Sequence, residues 1–176
     1  MKSVLVHSCC AHCAAYTVEY WQQQGYAVSA FWYNPNIHPY TEHQHRLEAM
    51  QTLAQQMNFP LVIEGYDIID YFRQVVGHES QRCQYCFRLR LSKTAETAQQ
   101  MGFDAFTTTL LISPQQKHDL IHEIGNDLAG EKGVDFLYAD LRKRYSDSRS
   151  MTKPLNLYRQ QYCGCVYSEW ERYANR

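Results

Sequence analysis

The chain has 176 residues, 45% of them hydrophobic, and a formal charge of −1. That length supports a core of its own, so one domain over residues 1–176 is expected, with no need of disulfide staples. The near-zero charge excludes a globally basic nucleic-acid binder while leaving room for a local basic patch. No apolar run approaches the length that spans a bilayer, and Met1 to His7 lacks a secretory apolar core and cleavage site. A cytoplasmic protein without a membrane partner is therefore expected, in a compartment that keeps thiols reduced. The seven cysteines, an odd number, do not suit a fully paired disulfide framework.

In chain order, Ser3–Val6 reads as a first strand that ends at His-Ser-Cys-Cys. A helix over Ala14–Gln24 follows, stopped by Gly25. Val28–Tyr33 is a second strand, broken by Asn34-Pro35-Asn36, and Thr41–Met57 suits a long helix with Thr41 as its cap. Leu61–Glu64 makes a short third strand. Asp67–Val76 and Cys86–Met101 read as helices, the second closed by Gly102. Asp104–Leu110 is a fourth strand, and Ser113-Pro114 opens the next helix. Val134–Tyr138 is the fifth strand, before a polar, basic C-terminal third. This alternation predicts an α/β fold: a single doubly wound, mostly parallel five-stranded sheet. Ligands of such folds bind beyond the carboxyl ends of the strands, near the switch in strand order. Cys9 and Cys10 fall at that address.

The cysteines come in three groups: Cys9, Cys10 and Cys13; Cys83 and Cys86; Cys163 and Cys165. Thiolates bunched in this way are soft ligands for zinc or iron–sulfur clusters. The first group gathers at a helix N-terminus, where backbone N–H groups favour thiolates. The Cys83-Gln-Tyr-Cys86 spacing lets two thiolates converge on one metal or cluster. Cys10/Cys13 with Cys83/Cys86 is also a zinc-knuckle pattern, although compact zinc modules use shorter loops and one of the first three cysteines would be left over. Cys163-Gly-Cys165 reads as a thiol/disulfide redox couple, closing a small and easily reduced ring, with Gly164 giving the backbone freedom to turn.

Five segments carry a resemblance that runs nearly end to end: His7-Ser-Cys-Cys-Ala-His-Cys13, Phe31-Trp-Tyr-Asn-Pro-Asn-Ile37, Arg82-Cys-Gln-Tyr-Cys-Phe-Arg-Leu-Arg-Leu91, Phe106-Thr-Thr-Thr-Leu110 and Tyr158-Arg-Gln-Gln-Tyr-Cys-Gly-Cys-Val-Tyr-Ser168. The chain resembles epoxyqueuosine reductases of the QueH type. The resemblance implies a HUP-like (Rossmann-like) fold and reduction of the epoxide of epoxyqueuosine to queuosine at the tRNA wobble position. It implies a [4Fe–4S] cluster on Cys9, Cys10, Cys83 and Cys86, and a redox-active disulfide between Cys163 and Cys165. It also implies an additional mononuclear iron, for which Cys13 and His12 are the candidate ligands. His12 stands where the family pattern has proline, and Ala14 where a polar residue is common.

Removing the epoxide oxygen as water takes two electrons and two protons, so a cluster that passes electrons singly needs a partner. The Cys163/Cys165 dithiol is the expected catalytic relay, an unidentified electron donor is implied, and His7, His12 or a tyrosine are the candidate proton donors. For tRNA, two basic groups stand out: Arg82, Arg88, Arg90 and Lys93, then Arg142, Lys143, Arg144, Arg149 and Lys153. Tyr158, Arg159, Tyr162 and Tyr33 are candidates for stacking an extruded base. The competing reading is a zinc-stabilised RNA-binding module without redox activity.

Overall fold

The computed structural model describes residues 1–174. Strand β1 (Ser3–His7) lies at the centre of the sheet, because Val4, Leu5 and Val6 are apolar in succession and fully buried, as a strand covered on both faces must be. Strand β2 (Ala27–Trp32) pairs with one side of it, Val4 opposite Val28, and β4 (Ala105–Thr108) with the other, Val4 opposite Ala105. Strands β3 (Leu61–Ile63) and β5 (Asp135–Phe136) form the edges. The order is β3-β2-β1-β4-β5 and every pair is parallel. The winding reverses between β1 and β4, which opens a crevice beyond their carboxyl ends.

Helices α1 (Ala11–Gln23) and α2 (Tyr40–Met57) cover one face, with Val18, Trp21, Met50 and Leu53 packed on Val4, Val6 and Trp32. Helices α4 (Arg82–Met101) and α5 (His118–Lys132) cover the other, with Phe87, Leu91, Ile121 and Leu128 against Leu5, Phe31 and Phe106. Each fully buried side chain of this size contributes about 1.5–3 kcal/mol. A shorter helix, α3 (Ile68–Val75), capped by the Asp67 carboxylate, leans on α4. The polar C-terminal third is also folded. It forms α6 (Tyr145–Thr152), which packs along α1, and α7 (Val166–Ala174). Ser148, fully buried, joins α6 to α1: its hydroxyl donates to the His12 carbonyl (2.6 Å) and accepts from the Tyr16 N–H (3.0 Å).

Four helix starts differ from the sequence reading, each for a local reason. Helix α1 begins at Ala11 rather than Ala14, since the Cys10 sulfur takes the cap position and accepts the Cys13 N–H at 3.3 Å. Helix α2 has Pro39 at its cap, and Thr41 lies inside the first turn without capping it. Helix α4 begins at Arg82, so Cys83 and Cys86 both ride on it. Ser113-Pro114 does not open α5. The Ser113 hydroxyl and carbonyl accept from the Gln115 and Gln116 N–H groups, and its carbonyl also takes His118 Nε2 (3.0 Å), closing a separate turn before the helix starts at His118.

Candidate active site

The first cysteine group leaves the end of β1 in a tightly held turn. The Ser8 N–H donates to the Phe31 carbonyl (2.8 Å), and Asn34 Nδ2 donates to the Ser8 carbonyl (2.8 Å). His7, fully buried, spans three strand ends: Nδ1 lies 3.1 Å from Thr108 Oγ1, and Nε2 faces the Tyr33 carbonyl (3.2 Å) and Asn34 Oδ1 (3.1 Å). Burial, with the charge of Arg90 adding to it, pushes His7 down to about 3. His7 is thus a buried strut between strand ends and does not line the cleft described below. The Cys13 N–H gives Cys10 the expected backbone donor, while other contacts act the opposite way on the free thiols. Hydrogen bonding with Cys13, together with burial, pushes the Cys10 thiol up to about 12. Hydrogen bonding with Cys10 and burial raise Cys9 well above its ordinary range.

Cys83 and Cys86 sit in the first turn and a half of α4, on the opposite face of the sheet from α1. Burial raises both, Cys86 to about 12. One turn further, Arg90 is 2% exposed, with Nε 3.4 Å from the Cys86 carbonyl and its guanidinium 5.7 Å from the centre of the Phe87 ring. Among the described residues no carboxylate pairs with it. An arginine read from sequence as part of a surface patch is instead a buried cation beneath thiols.

The Cys-Gly-Cys turn is held by its backbone. Arg46, buried on α2, donates Nη1 to the Cys163 carbonyl (2.8 Å) and Nη2 to the Tyr162 carbonyl (2.9 Å). Its Nε is paired with Glu42 at 2.9 Å, and Glu42 in turn accepts the Tyr158 hydroxyl. The His38 N–H donates to the Gly164 carbonyl (2.8 Å), the Val166 N–H donates to His38 Nδ1 (3.1 Å), and the Tyr162 hydroxyl donates to the His38 carbonyl. Both thiols are free. Cys163 is exposed and accepts from Gln116 Nε2 at 3.6 Å. Cys165 is buried, and burial works against its anion. Contacts with the Ser168 hydroxyl and N–H (3.4 Å), with Tyr71 and with Arg82 outweigh that and hold it below the ordinary thiol range. The Tyr71 hydroxyl is enclosed and makes no hydrogen bond of ordinary geometry, although it stands close enough to favour the Cys165 anion.

All seven cysteines line one cleft of about 750 Å³ at the carboxyl edge of the sheet. Among the described residues no group of three or more His, Cys, Asp and Glu side chains is gathered to hold a single metal ion. His12 reaches the cleft wall with both nitrogens engaged: Nδ1 lies 2.6 Å from Thr152 Oγ1 and Nε2 3.0 Å from the Tyr158 carbonyl. Burial lowers its pKa, and its two contacts tie α1 to α6 and to the C-terminal segment. Cys13 remains available on the wall.

The charges around the mouth differ from the sequence reading. Arg88, Lys93, Arg142 and Arg144 are tied to Glu131, Glu64, Asp140 and Asp147, and Arg82 to Glu171. Lys117, Arg149, Arg159 and Arg172 line the cleft, and none has an ion-pair partner among the described residues. Tyr33 is 6% exposed and packed on Phe31, so it offers no face to a base, whereas Tyr158 is 38% exposed. Arg46, Tyr71 and Gln116 are site residues the sequence reading missed. The one available signal was the Glu42/Arg46 spacing of four on a helix, common in solvated pairs.

Fold and site together define a Rossmann-like α/β protein with a thiol-lined cleft at its topological switch point. Among solved structures, a protein described as a predicted subunit of a tRNA methyltransferase from Methanocaldococcus jannaschii shares the fold. The match has a TM-score of 0.62 at 13% identity, over 86% of this chain and 74% of that one. The family model for epoxyqueuosine reductase QueH matches residues 4–171. An epoxyqueuosine reductase QueH from Dehalococcoides mccartyi is 57% identical over 97% of this chain and 94% of its own length. The one from Thermotoga maritima is 34% identical over 98% and 93%. The chain belongs to the epoxyqueuosine reductase QueH family.

Proposed function

We propose that this chain reduces epoxyqueuosine to queuosine in tRNA. The observation that carries the reading is the convergence of all seven cysteines, from three distant segments, on one cleft in a member of this family. The reaction takes two electrons and two protons, releases the epoxide oxygen as water and leaves a carbon–carbon double bond.

Cys9, Cys10, Cys83 and Cys86 would hold a [4Fe–4S] cluster. The donor set is all sulfur, from the starts of two helices on opposite faces of the sheet. Arg90 adds a buried positive charge with no carboxylate partner among the described residues, which anionic ligands would balance. Zinc on four of these thiols would carry no electrons, whereas a cluster would. When bound, it supplies electrons one at a time. A separate mononuclear iron fits less well, since His12 is committed and only Cys13 of the two candidates offers a donor. No step here needs it.

The chain's own part is to supply the electron pair and hold the substrate. Cys163 and Cys165, as a dithiol, give up two electrons and two protons and become a disulfide, which an external electron donor reduces again. Tyr71 and Ser168 stabilise the Cys165 sulfur while it changes state. Lys117, Arg149, Arg159 and Arg172, which line the cleft without an acid partner among the described residues, would receive the tRNA backbone. The setting is the cytoplasm, with tRNA as partner; among the described residues no helix is long and apolar enough to cross a membrane.

The test is metal content and turnover on protein purified without oxygen. Iron with acid-labile sulfide, conversion of epoxyqueuosine in tRNA, and loss of that conversion in Cys163→Ser with iron retained are the expected results. A colourless protein holding zinc alone and resisting reconstitution with iron and sulfide would sink the cluster. Full turnover by Cys163→Ser would sink the dithiol.

A further inference from the structure

Beside the thiol cleft lies a second, smaller pocket of about 330 Å³, between the end of α6 and residues 156–159. We propose that it holds a backbone phosphodiester of the tRNA, next to the nucleotide whose base occupies the thiol cleft. This rests on the tRNA reading given above.

Three observations carry it. The first is charge. Arg149, Lys153 and Arg159 line the pocket and no acidic residue does. None of the three is in an ion pair among the described residues. Arg149 is steadied by Tyr145, whose hydroxyl it meets at 3.3 Å and whose ring centre lies 5.5 Å from its guanidinium. Arg142 and Arg144, the basic residues a few positions earlier, are neutralised by Asp140 and Asp147. Within residues 142–159, four basic side chains have no ion pair among the described residues, and three of them, Arg149, Lys153 and Arg159, line this pocket.

The second is continuity. His12, Arg149 and Arg159 line both cavities. A strand leaving the cleft passes over the two guanidiniums directly into the smaller pocket. Arginine's fixed fork suits a phosphate in transit, and the Lys153 ammonium supplies a point charge further in.

The third is rigidity. His12 Nδ1 lies 2.6 Å from Thr152 Oγ1, and its Nε2 lies 3.0 Å from the Tyr158 carbonyl. It thereby fixes α6 and the residue before Arg159 to the helix that carries Cys10 and Cys13. The phosphate site and the thiol wall are two sides of one tied structure, so a phosphate seated in the first sets where the neighbouring base lies in the second.

Lys153 lines the smaller pocket alone, so Lys153→Gln separates the two cavities. The experiment measures tRNA affinity against salt between about 50 and 200 mM for the full chain, Lys153→Gln, and Lys143→Gln as control, since Lys143 lines neither cavity. One lost phosphate contact to a single strand lowers the log–log slope by about 0.7. Lys153→Gln is expected to show that drop with several-fold weaker binding at low salt, and Lys143→Gln to match the unaltered chain. A steep slope in the unaltered chain that Lys153→Gln leaves intact would overturn the phosphate site while sparing the tRNA reading. Binding indifferent to salt in the unaltered chain would overturn both. Displacement of tRNA by sub-millimolar inorganic phosphate at constant ionic strength would assign the pocket to a free anion, and that too would overturn the proposal.

Discussion

Replacing Arg46 by methionine tests whether a buried ion pair holds the Cys-Gly-Cys turn in place. The Arg46 and Glu42 side chains are 1% and 8% exposed, so removing the cation leaves a nearly sealed carboxylate with only the Tyr158 hydroxyl as partner. Breaking a buried pair from one side costs about 3–5 kcal/mol. The two carbonyls that lose their donors, Tyr162 and Cys163, lie on a half-buried and an exposed residue, so water can replace part of each bond. They therefore add at the lower end, about 0.5–1 kcal/mol apiece. A loss of about 4–7 kcal/mol is expected in urea unfolding, read as a lower midpoint at unchanged slope. Adding Glu42→Gln removes the stranded charge and should return at least about 1 kcal/mol, while the Cys163 thiol stays faster to alkylate in both variants. If Arg46→Met costs less than about 1 kcal/mol, or Glu42→Gln fails to recover any of the loss, the pair is not the anchor inferred here.

Three further outcomes follow from particular contacts. A Cβ on Gly125 would stand 2.3 Å from Phe136 Cε1, so Gly125→Ala should lower stability by about 1–3 kcal/mol; an unchanged melting temperature would mean that the β5 edge yields freely. His43, 4% exposed, accepts the Trp32 indole N–H at Nε2 (3.0 Å), and burial with Arg46 nearby lowers its pKa to about 4. The unfolded chain therefore takes up a proton near pH 6.5 that the folded chain refuses, and stability is lost as pH falls from about 6.5 towards 4, by up to about 3 kcal/mol. A His43→Gln chain should lack that part of the slope, and an identical slope in both would refute the assignment. Arg90→Met removes the cation beneath Cys9 and Cys86; it should lower the iron retained after anaerobic reconstitution, read by metal analysis rather than turnover, and full retention would show that the thiols need no such counter-charge.

Much of the sheet was legible because its signals are local. Three buried residues in succession at Val4–Val6, with a break at Asn34-Pro35-Asn36, give strand positions from the chain itself, and the alternation with helices gives the parallel winding. The address of the cleft follows, since β1 delivers Cys9 and Cys10 to the switch point. What local patterns do not report is the partner of a polar side chain. Arg46 meets carbonyls 116 and 117 positions away, and nothing around it distinguishes a buried anchor from a solvated pair. The same holds for Arg90 and His12. Each reads as a surface charge or a free ligand until the neighbouring element arrives to enclose it. The basic run from Arg142 to Lys153 divides in the structure for a related reason: Asp140 and Asp147 neutralise Arg142 and Arg144, while Lys143, Arg149 and Lys153 have no ion pair among the described residues.

The anchors of the Cys-Gly-Cys turn share a property that bears on its proposed chemistry. Arg46 grips the carbonyls of Tyr162 and Cys163, and the His38 N–H grips that of Gly164. None of these bonds involves a sulfur. A dithiol that alternates between free thiols and a disulfide changes what its sulfur atoms touch, so a turn held through sulfur would loosen with every change of state. A turn held through carbonyls keeps its place in both. The sulfur-directed contacts are correspondingly unequal. Cys165 is enclosed by Ser168, Tyr71 and Arg82, while exposed Cys163 has the single long contact from Gln116. With the pair cycling through the proposed disulfide, an attacking thiolate would reach the exposed Cys163 first and expel Cys165, whose anion Ser168, Tyr71 and Arg82 favour. A fixed backbone would then let the proposed ring open from that side without displacing the wall of the cleft it serves.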